Sequence, residues 1–461
     1  MTDDRERFAD ADHVLHGEKG AGLVSKVLYA VYLTAVLALT YAFTLLRAVL
    51  VSTDTVWVRD NLAGWRGPAL AVVATVLALW GAWWLGGRRG PATPPLPWID
   101  HVVASSIDRA ITVRPWWRSA LAGIVGCAAV LGGVVGGAVY AAGLAGVVAV
   151  PLGIVVGAVL AGIACWLWLT AQATASSRAD EGIARGGEST LLRALGIDEL
   201  RAHARRGQRL YGAVLSGDPR AARLEVAAPI RRGRTRRLRA RGFVLTIVRR
   251  DLLGLRRQPG PAWAGVVLAA AGATICAETV LDPTTPFPLT AIGVVLAHLA
   301  VGQWAQGLRH ASDGLSAAPV FGGSPVKRAL AHSIVPALAH VLVALPVAAL
   351  RWALSGAGVA ALGPLLAVEA ALALLLVGGH WWSAFRVSHP EAAFIPETGP
   401  IMLVIGVARP WLVVVVAGTA ALQRMATLPS PWLGVGLLLA VGAGVLWRGR
   451  ALAKQLVTEG R

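Results

Sequence analysis

One acid, Glu369, stands inside PLLAVEAALALLLVGG with no other Asp, Glu, Lys or Arg within ten residues on either side. A carboxyl group in so apolar a run is expensive to place in lipid, which makes it a candidate for substrate contact or proton carriage. The bland alternative is a neutral, hydrogen-bonded carboxyl between helices. Glu278 and Asp282 flank the end of another apolar run, as interfacial residues or as a gate. His298, His332 and His340 lie on two further runs, where histidine serves most simply as an interhelical hydrogen-bonder and otherwise as part of a proton relay. Gln303 and Gln306 follow His298 on the same run and suit either a cavity lining or helix–helix contact. The three cysteines, Cys127, Cys165 and Cys276, are far apart and read as small buried hydrophobes. No Cys/His spacing implies a metal, and no group of residues implies covalent or acid–base catalysis.

These side chains need apolar helices to hold them. Of 461 residues, 56% are hydrophobic and 15% charged, whereas soluble domains carry about 25% charged residues. From Ser119 to Ser177 the chain runs 59 residues without a charge, the length of two membrane crossings and a turn, with Gly143 and Gly146 suited to that turn. Ten such segments can be placed: residues 27–46, 68–87, 119–142, 147–171, 261–279, 288–306, 329–350, 359–379, 401–422 and 432–447. Only helices satisfy every backbone group within one segment in lipid, so the expected fold is an all-α polytopic membrane protein. Its expected parts are a tail (1–26), a four-span unit (27–171), a basic linker (172–260), a six-span unit (261–448) and a second tail (449–461). The N-terminal residues show no signal-peptide pattern.

Basic residues set the orientation. With both termini inside, and the long basic segment left out, 18 Lys/Arg fall inside against 5 outside. Arg409, next to Pro410, is the awkward case. It suits an interface if the ninth span starts at the proline, and it is otherwise intramembrane. Tryptophans near segment ends, among them Trp57, Trp65, Trp83, Trp84, Trp98, Trp116, Trp117, Trp381, Trp382, Trp432 and Trp447, read as interfacial belts. Glycine-rich runs such as GGVVGGAVYAAGLAG permit close helix approach.

Arg178–Arg257 holds 20 Arg against eight acids, net +12 of the chain's +18. Within it, Gly196–Asp218 reads as a short polar helix. RRGRTRRLRAR contains no aromatic residue for base stacking, so nucleic acid is not expected as a partner. In RGFVLTIVRRDLLGLRRQPGPAW, Val244, Ile247, Val248, Leu252 and Leu255 share one helical face, and Arg249, Arg250, Arg256 and Arg257 the other. Asp251 and Leu253 break the pattern. A basic amphipathic helix before a span belongs at the lipid headgroups, and Pro259 and Pro261 end it.

Two loops look alike, Leu85–Gly123 and Leu308–His340. Each carries Ser-Ile-Asp-Arg or Ser-Pro-Val-Lys-Arg before re-entering the apolar region, which suggests a partial 4+6 duplication. The second half, roughly Thr235 to Arg450, resembles permease subunits of ABC-2-type exporters. RRDLLGLRRQP is similar to their elbow helix, and SAAPVFGGSPVKRALAHSIVPAL to their basic, Pro-containing loop. The four-span first unit departs from that pattern. The resemblance implies a bacterial plasma-membrane permease that works with a cytoplasmic ATPase dimer, within a bilayer and as one chain or a homodimer. ATP would bind the partner, since no Gly-Lys pair and hence no phosphate loop occurs here. Asp108, Arg109, Arg249, Arg250, Asp251, Lys327 and Arg328 are the expected ATPase-coupling residues. Glu369, Glu278, His298, Gln303 and His340 are the expected path residues. The competing expectation is a proton-coupled transporter built on Glu369. Short outer loops weaken a third, an enzyme acting on lipid-linked substrates.

Overall fold

The structure, a computed structural model, describes all residues except 1, 18–21, 53–65, 88–89, 177–185, 216–237, 239–240, 314–322, 387–398, 426–427 and 460–461. Trp57 and Trp65 and most of the RRGRTRRLRAR stretch therefore lie outside the described residues. Every regular element among the described residues is helical. Eight described helices are long and apolar enough to cross a membrane. The chain is an all-α, multi-pass membrane protein. Two further expected segments coincide with helices at Arg66–Gly86 and Gly399–Met425. The chain divides into two units, Met1–Ala227 and Ala228–Arg461.

The first unit begins with a charged helix, α1 (Thr2–His16), within the expected N-terminal tail. Next comes α2 (Leu23–Leu37), which continues through a π-helical stretch, Ala38–Phe43, into α3 (Thr44–Ser52). Then follow α4 (Arg66–Gly86), α5 (Arg109–Ala141), α6 (Ala149–Ser176), α7 (Glu188–Ala194) and α8 (Ile197–Leu215). Helices α5 and α6 form a tight hairpin. Its turn uses Gly143 at φ 73°, with the Gly143 N–H donating to the Tyr140 carbonyl at 2.9 Å. The hairpin closes on GxxxG spacings, Gly132/Gly136 against Gly153/Gly157, where the backbones are so close that a Cβ on Gly153 would run into the Gly132 carbonyl. Gly153→Leu is accordingly expected to splay the hairpin and lower stability by about 1–3 kcal/mol or more. Gly162→Leu, whose added Cβ would meet nothing within 4 Å, is the control. Thermal unfolding of both variants in detergent checks this, and equal effects would refute the close-packing account.

The buried core of the first unit lies at one end of this hairpin. Trp98, Ile99, Val102 and Val103, from the short helical turn after Pro95, pack with Trp117, Leu169, Leu191, Leu192 and Leu200. Trp98 and Trp117 are each 2% exposed, and the Trp98 indole donates to the Thr112 carbonyl at 3.1 Å. These two tryptophans, and Trp381 in the second unit, are core residues and not belt residues. Their bulk fills space between helices instead of standing at a lipid boundary. Trp83, Trp84, Trp432 and Trp447 are exposed, as an interfacial belt requires.

The second unit has α9 (Phe243–Arg257), α10 (Pro259–Leu281), α11 (Phe287–Trp304), α12 (Gln306–Asp313), α13 (Pro325–Ser355), α14 (Leu362–Phe385), α15 (Gly399–Met425) and α16 (Pro431–Glu459). Pro410 sits inside α15, which begins at Gly399. Its missing N–H leaves only one ladder bond unmade, and Arg409 before it is exposed. The central element is α14, packed by α13, α15 and α16. Its side chains Val368, Leu372, Leu375 and Leu376 anchor the largest core cluster. The two units differ in enclosure. Half of the apolar window of α14 is buried within the chain, against 11% for α6. Among the described residues, the buried histidines and the buried acid of the spans, His298, His332, His340, His380 and Glu369, all lie in the second unit.

Candidate functional site

Helix α14 carries Glu369 and His380 eleven residues apart. At 3.6 residues per turn that is three turns, so both side chains leave the same face. Helix α13 lies against that face and presents His332, Ser333 and His340. Helix α11 presents His298.

At one level, His340 and Glu369 are both fully buried, with His340 Nε2 3.8 Å from Glu369 Oε2. That separation exceeds a hydrogen bond. Neither imidazole nitrogen nor either carboxylate oxygen has a hydrogen-bond partner among the described residues. Buried polar groups are almost always satisfied, and an orphaned carboxyl–imidazole pair inside a bundle costs stability. Such a pair can bind one proton between its two members, or receive a polar ligand.

At a second level, His298 and His380 stack with ring centroids 4.2 Å apart and planes 10° from parallel. His380 Nε2 and the His298 carbonyl oxygen are 3.0 Å apart, while His298 Nδ1 is buried without a partner among the described residues. The Trp381 indole donates to Ser333 Oγ at 2.5 Å. At a third level, Thr279 and Thr290 hydroxyls lie 2.9 Å apart and the Gln423 amide donates to Thr290 Oγ1 at 2.6 Å, which ties α10, α11 and α15 together.

Other expected residues have structural partners. Glu278 pairs with Arg351 at the end of α13. Asp282 shapes a turn, its Oδ1 accepting from the Thr284 N–H at 2.9 Å. Gln303 is half-buried on α11, outside the His340–Glu369 pair.

The amphipathic helix is present as α9, and its pattern-breaking acid has an assignment. Asp251 points inward, and its Oδ2 lies 2.7 Å from His332 Nδ1, with both side chains buried. Gly307 on α12 makes room for this pair, since a Cβ there would strike both groups. Ile247 and Thr246 bury on the same side, while Val244, Leu245 and Leu252 stay 44–48% exposed as an apolar stripe. Arg249 is half-buried and Arg250 exposed. Asp251, expected at a coupling surface, is thus an internal clamp. Lys327 is exposed in the first turn of α13, and Arg328 is half-buried.

Asp108 and Arg109 have internal work in the first unit. Asp108 caps α5 by accepting from the Ala110 N–H at 2.9 Å and pairs with Arg193 on α7 at 2.6 Å. Arg109 donates to the Leu195 carbonyl at 2.5 Å. Ser324 caps α13 in the same manner, accepting from the Lys327 N–H at 3.3 Å. The likeness of the two loops is therefore matched by a shared capping requirement: each Ser-containing tetrad or pentad starts a long helix.

The Arg193 guanidinium beside Asp108 holds its carboxyl below the ordinary value of 3.8, with help from the Ala110 N–H and the charge of Arg114. A lowered folded-state value stabilises above 3.8, and the stabilisation is lost as pH falls through the folded-state value. Protection of the Glu188–Ala194 amides against hydrogen exchange, taken relative to their intrinsic rates, should therefore fall on acidification below about pH 4. Asp108→Asn should exchange fast at neutral pH and show no such transition. An acid transition unchanged in that variant would assign it elsewhere.

Sequence reasoning missed His380 and the His332–Asp251 contact. The signals were the eleven-residue interval from Glu369 and the break that Asp251 makes in the apolar face. No family model, curated protein or solved structure matches the chain.

Proposed function

We propose that this chain is the permease subunit of an ATP-driven, ABC-2-like exporter in a bacterial plasma membrane. In this reading it spans the bilayer ten times, keeps both termini cytoplasmic, and leaves ATP to a separate ATPase. The observation that carries the reading is the docking of α9. This basic amphipathic helix passes into α10 with only Gln258 between them, keeps an apolar stripe facing outward, and is clamped to α13 through Asp251 and His332. An interfacial helix rigidly joined to two spans can transmit a push at the membrane surface into the bundle. A surface helix held only by lipid cannot. Arg249, Arg250 and the start of α13 at Lys327 and Arg328 are the coupling surface in this reading.

Purification of the chain from native membranes tests it. An ATPase should co-purify, the gene for it should lie beside this one, and transport should stop when nucleotide is removed. A clean preparation that transports without ATP would discard the proposal.

A second reading, proton-coupled transport, is favoured by the orphaned Glu369–His340 pair. It requires that collapse of the proton gradient and Glu369→Gln each abolish transport. ATP-dependent transport that survives both would eliminate it.

A further inference from the structure

A crevice of about 770 Å³ runs between the start of α13, the middle of α14 and the last turns of α16. Its wall is apolar along Leu330, Leu374 and Leu446. The lining also includes Lys327, Arg450 and Lys454, and no Asp or Glu. None of the three cations has an ion pair among the described residues, and all are exposed. Their placement is electrostatically unfavourable for the empty protein. Arg450 and Lys454 stand four residues apart on one helix, where like charges repel. Lys327 occupies the first turn of α13, where the helix dipole already presents its positive end. Trp447, 68% exposed, sits at the mouth one turn before Arg450, the position of an indole at the headgroup boundary.

We propose that this crevice is a binding site for one anionic phospholipid, with the phosphate on Lys327, Arg450 and Lys454 and an acyl chain against Leu330, Leu374 and Leu446. Charge complementarity selects the head, because three cations without ion pairs among the described residues line the same crevice. The apolar wall selects an amphiphile. A free phosphate would use only the rim, and an acidic protein surface would leave the inner wall uncovered. Basic pockets between transmembrane helices are a general means of holding acidic lipid headgroups. The inference stands apart from the exporter reading and requires no particular transported substrate. It gives Lys327 a lipid contact in addition to its place in the proposed coupling surface.

The test uses the full chain purified in detergent and titrated with dioleoylphosphatidylglycerol, dioleoylphosphatidylcholine or inorganic phosphate. Native mass spectrometry and thermal unfolding provide the readouts. Phosphatidylglycerol should remain bound and raise the unfolding midpoint; phosphatidylcholine and inorganic phosphate should do neither. Each basic residue near an anionic headgroup contributes about fivefold, so the triple variant K327Q/R450Q/K454Q should lose about 100-fold in affinity. Loss of three exposed arginines elsewhere, in R5Q/R47Q/R205Q, should change it little. Ala443→Trp fills the exposed apolar wall with all three cations retained and should also abolish binding. It carries the test should the triple variant fail to purify as a single species. Undiminished phosphatidylglycerol affinity in either crevice variant would overturn the proposal, as would equal shifts from phosphatidylcholine or from phosphate alone.

Discussion

Glu369→Met should make the protein more stable and less active. The side chains have nearly the same volume, so the core around Val368, Leu372 and Leu375 keeps its packing. What changes is polarity. Both carboxylate oxygens are buried without hydrogen bonds among the described residues, and His340 Nε2 stays 3.8 Å away. Replacing such a group by an apolar isostere is commonly neutral or stabilising, by about 1–4 kcal/mol. A stabilising replacement is the mark of a residue kept for function at the expense of stability. Glu369→Gln should fall between wild type and Glu369→Met. Thermal unfolding in one detergent ranks the three proteins. A clear drop in stability for Glu369→Met would mean that the carboxyl has a structural partner and is a helix–helix tie after all. Transport measured on the same proteins separates the two functional readings. Loss of transport in Glu369→Gln, together with sensitivity to the proton gradient, points to proton coupling. Loss in Glu369→Met with Glu369→Gln active points to polar substrate contact.

Asp251→Ala should do the reverse and unseat α9. Asp251 and His332 bury 4% and 2% exposed side chains against each other across 81 residues of chain, with Gly307 so close that a Cβ there would strike both. Removal of the carboxylate leaves a buried imidazole unpaired at the side of α13 and a void next to α12. The expected loss is on the order of 3 kcal/mol. Hydrogen exchange would localise it. Phe243–Arg257 should lose protection first, while α14 keeps its own. His332→Ala should resemble Asp251→Ala, and the double variant should cost less than the sum of the singles, since the two groups share one interaction. If α9 stays protected in Asp251→Ala, the apolar contact through Ile247 holds the helix and the clamp is secondary. Under the exporter reading, the same variant should uncouple ATP hydrolysis from transport without preventing ATPase binding, because Arg249 and Arg250 are untouched.

The sequence by itself determined the class of the protein, an all-α chain with several apolar helices long enough to cross a membrane. Hydropathy is a local property, and lipid leaves the backbone no alternative to a helix. A charge-free run of 59 residues therefore had to become a hairpin, and the glycine at its turn was visible for the same reason. The amphipathic helix before Pro259 was equally legible, since its period resides in consecutive residues. Contacts between helices were not legible. Whether Glu369 meets His340, or His298 stacks on His380, depends on how far each helix is rotated about its axis and slid along its neighbour. Packing of many side chains at once decides both, and the Gly132–Gly153 approach shows how finely. Trp98, Trp117 and Trp381 illustrate the limit. An indole near a segment end has the same sequence signature whether it faces lipid or core, and only the neighbouring helices decided for core. Asp251 marks the border between the two kinds of knowledge: the sequence showed that it broke a face, and the fold supplied the histidine that explains why.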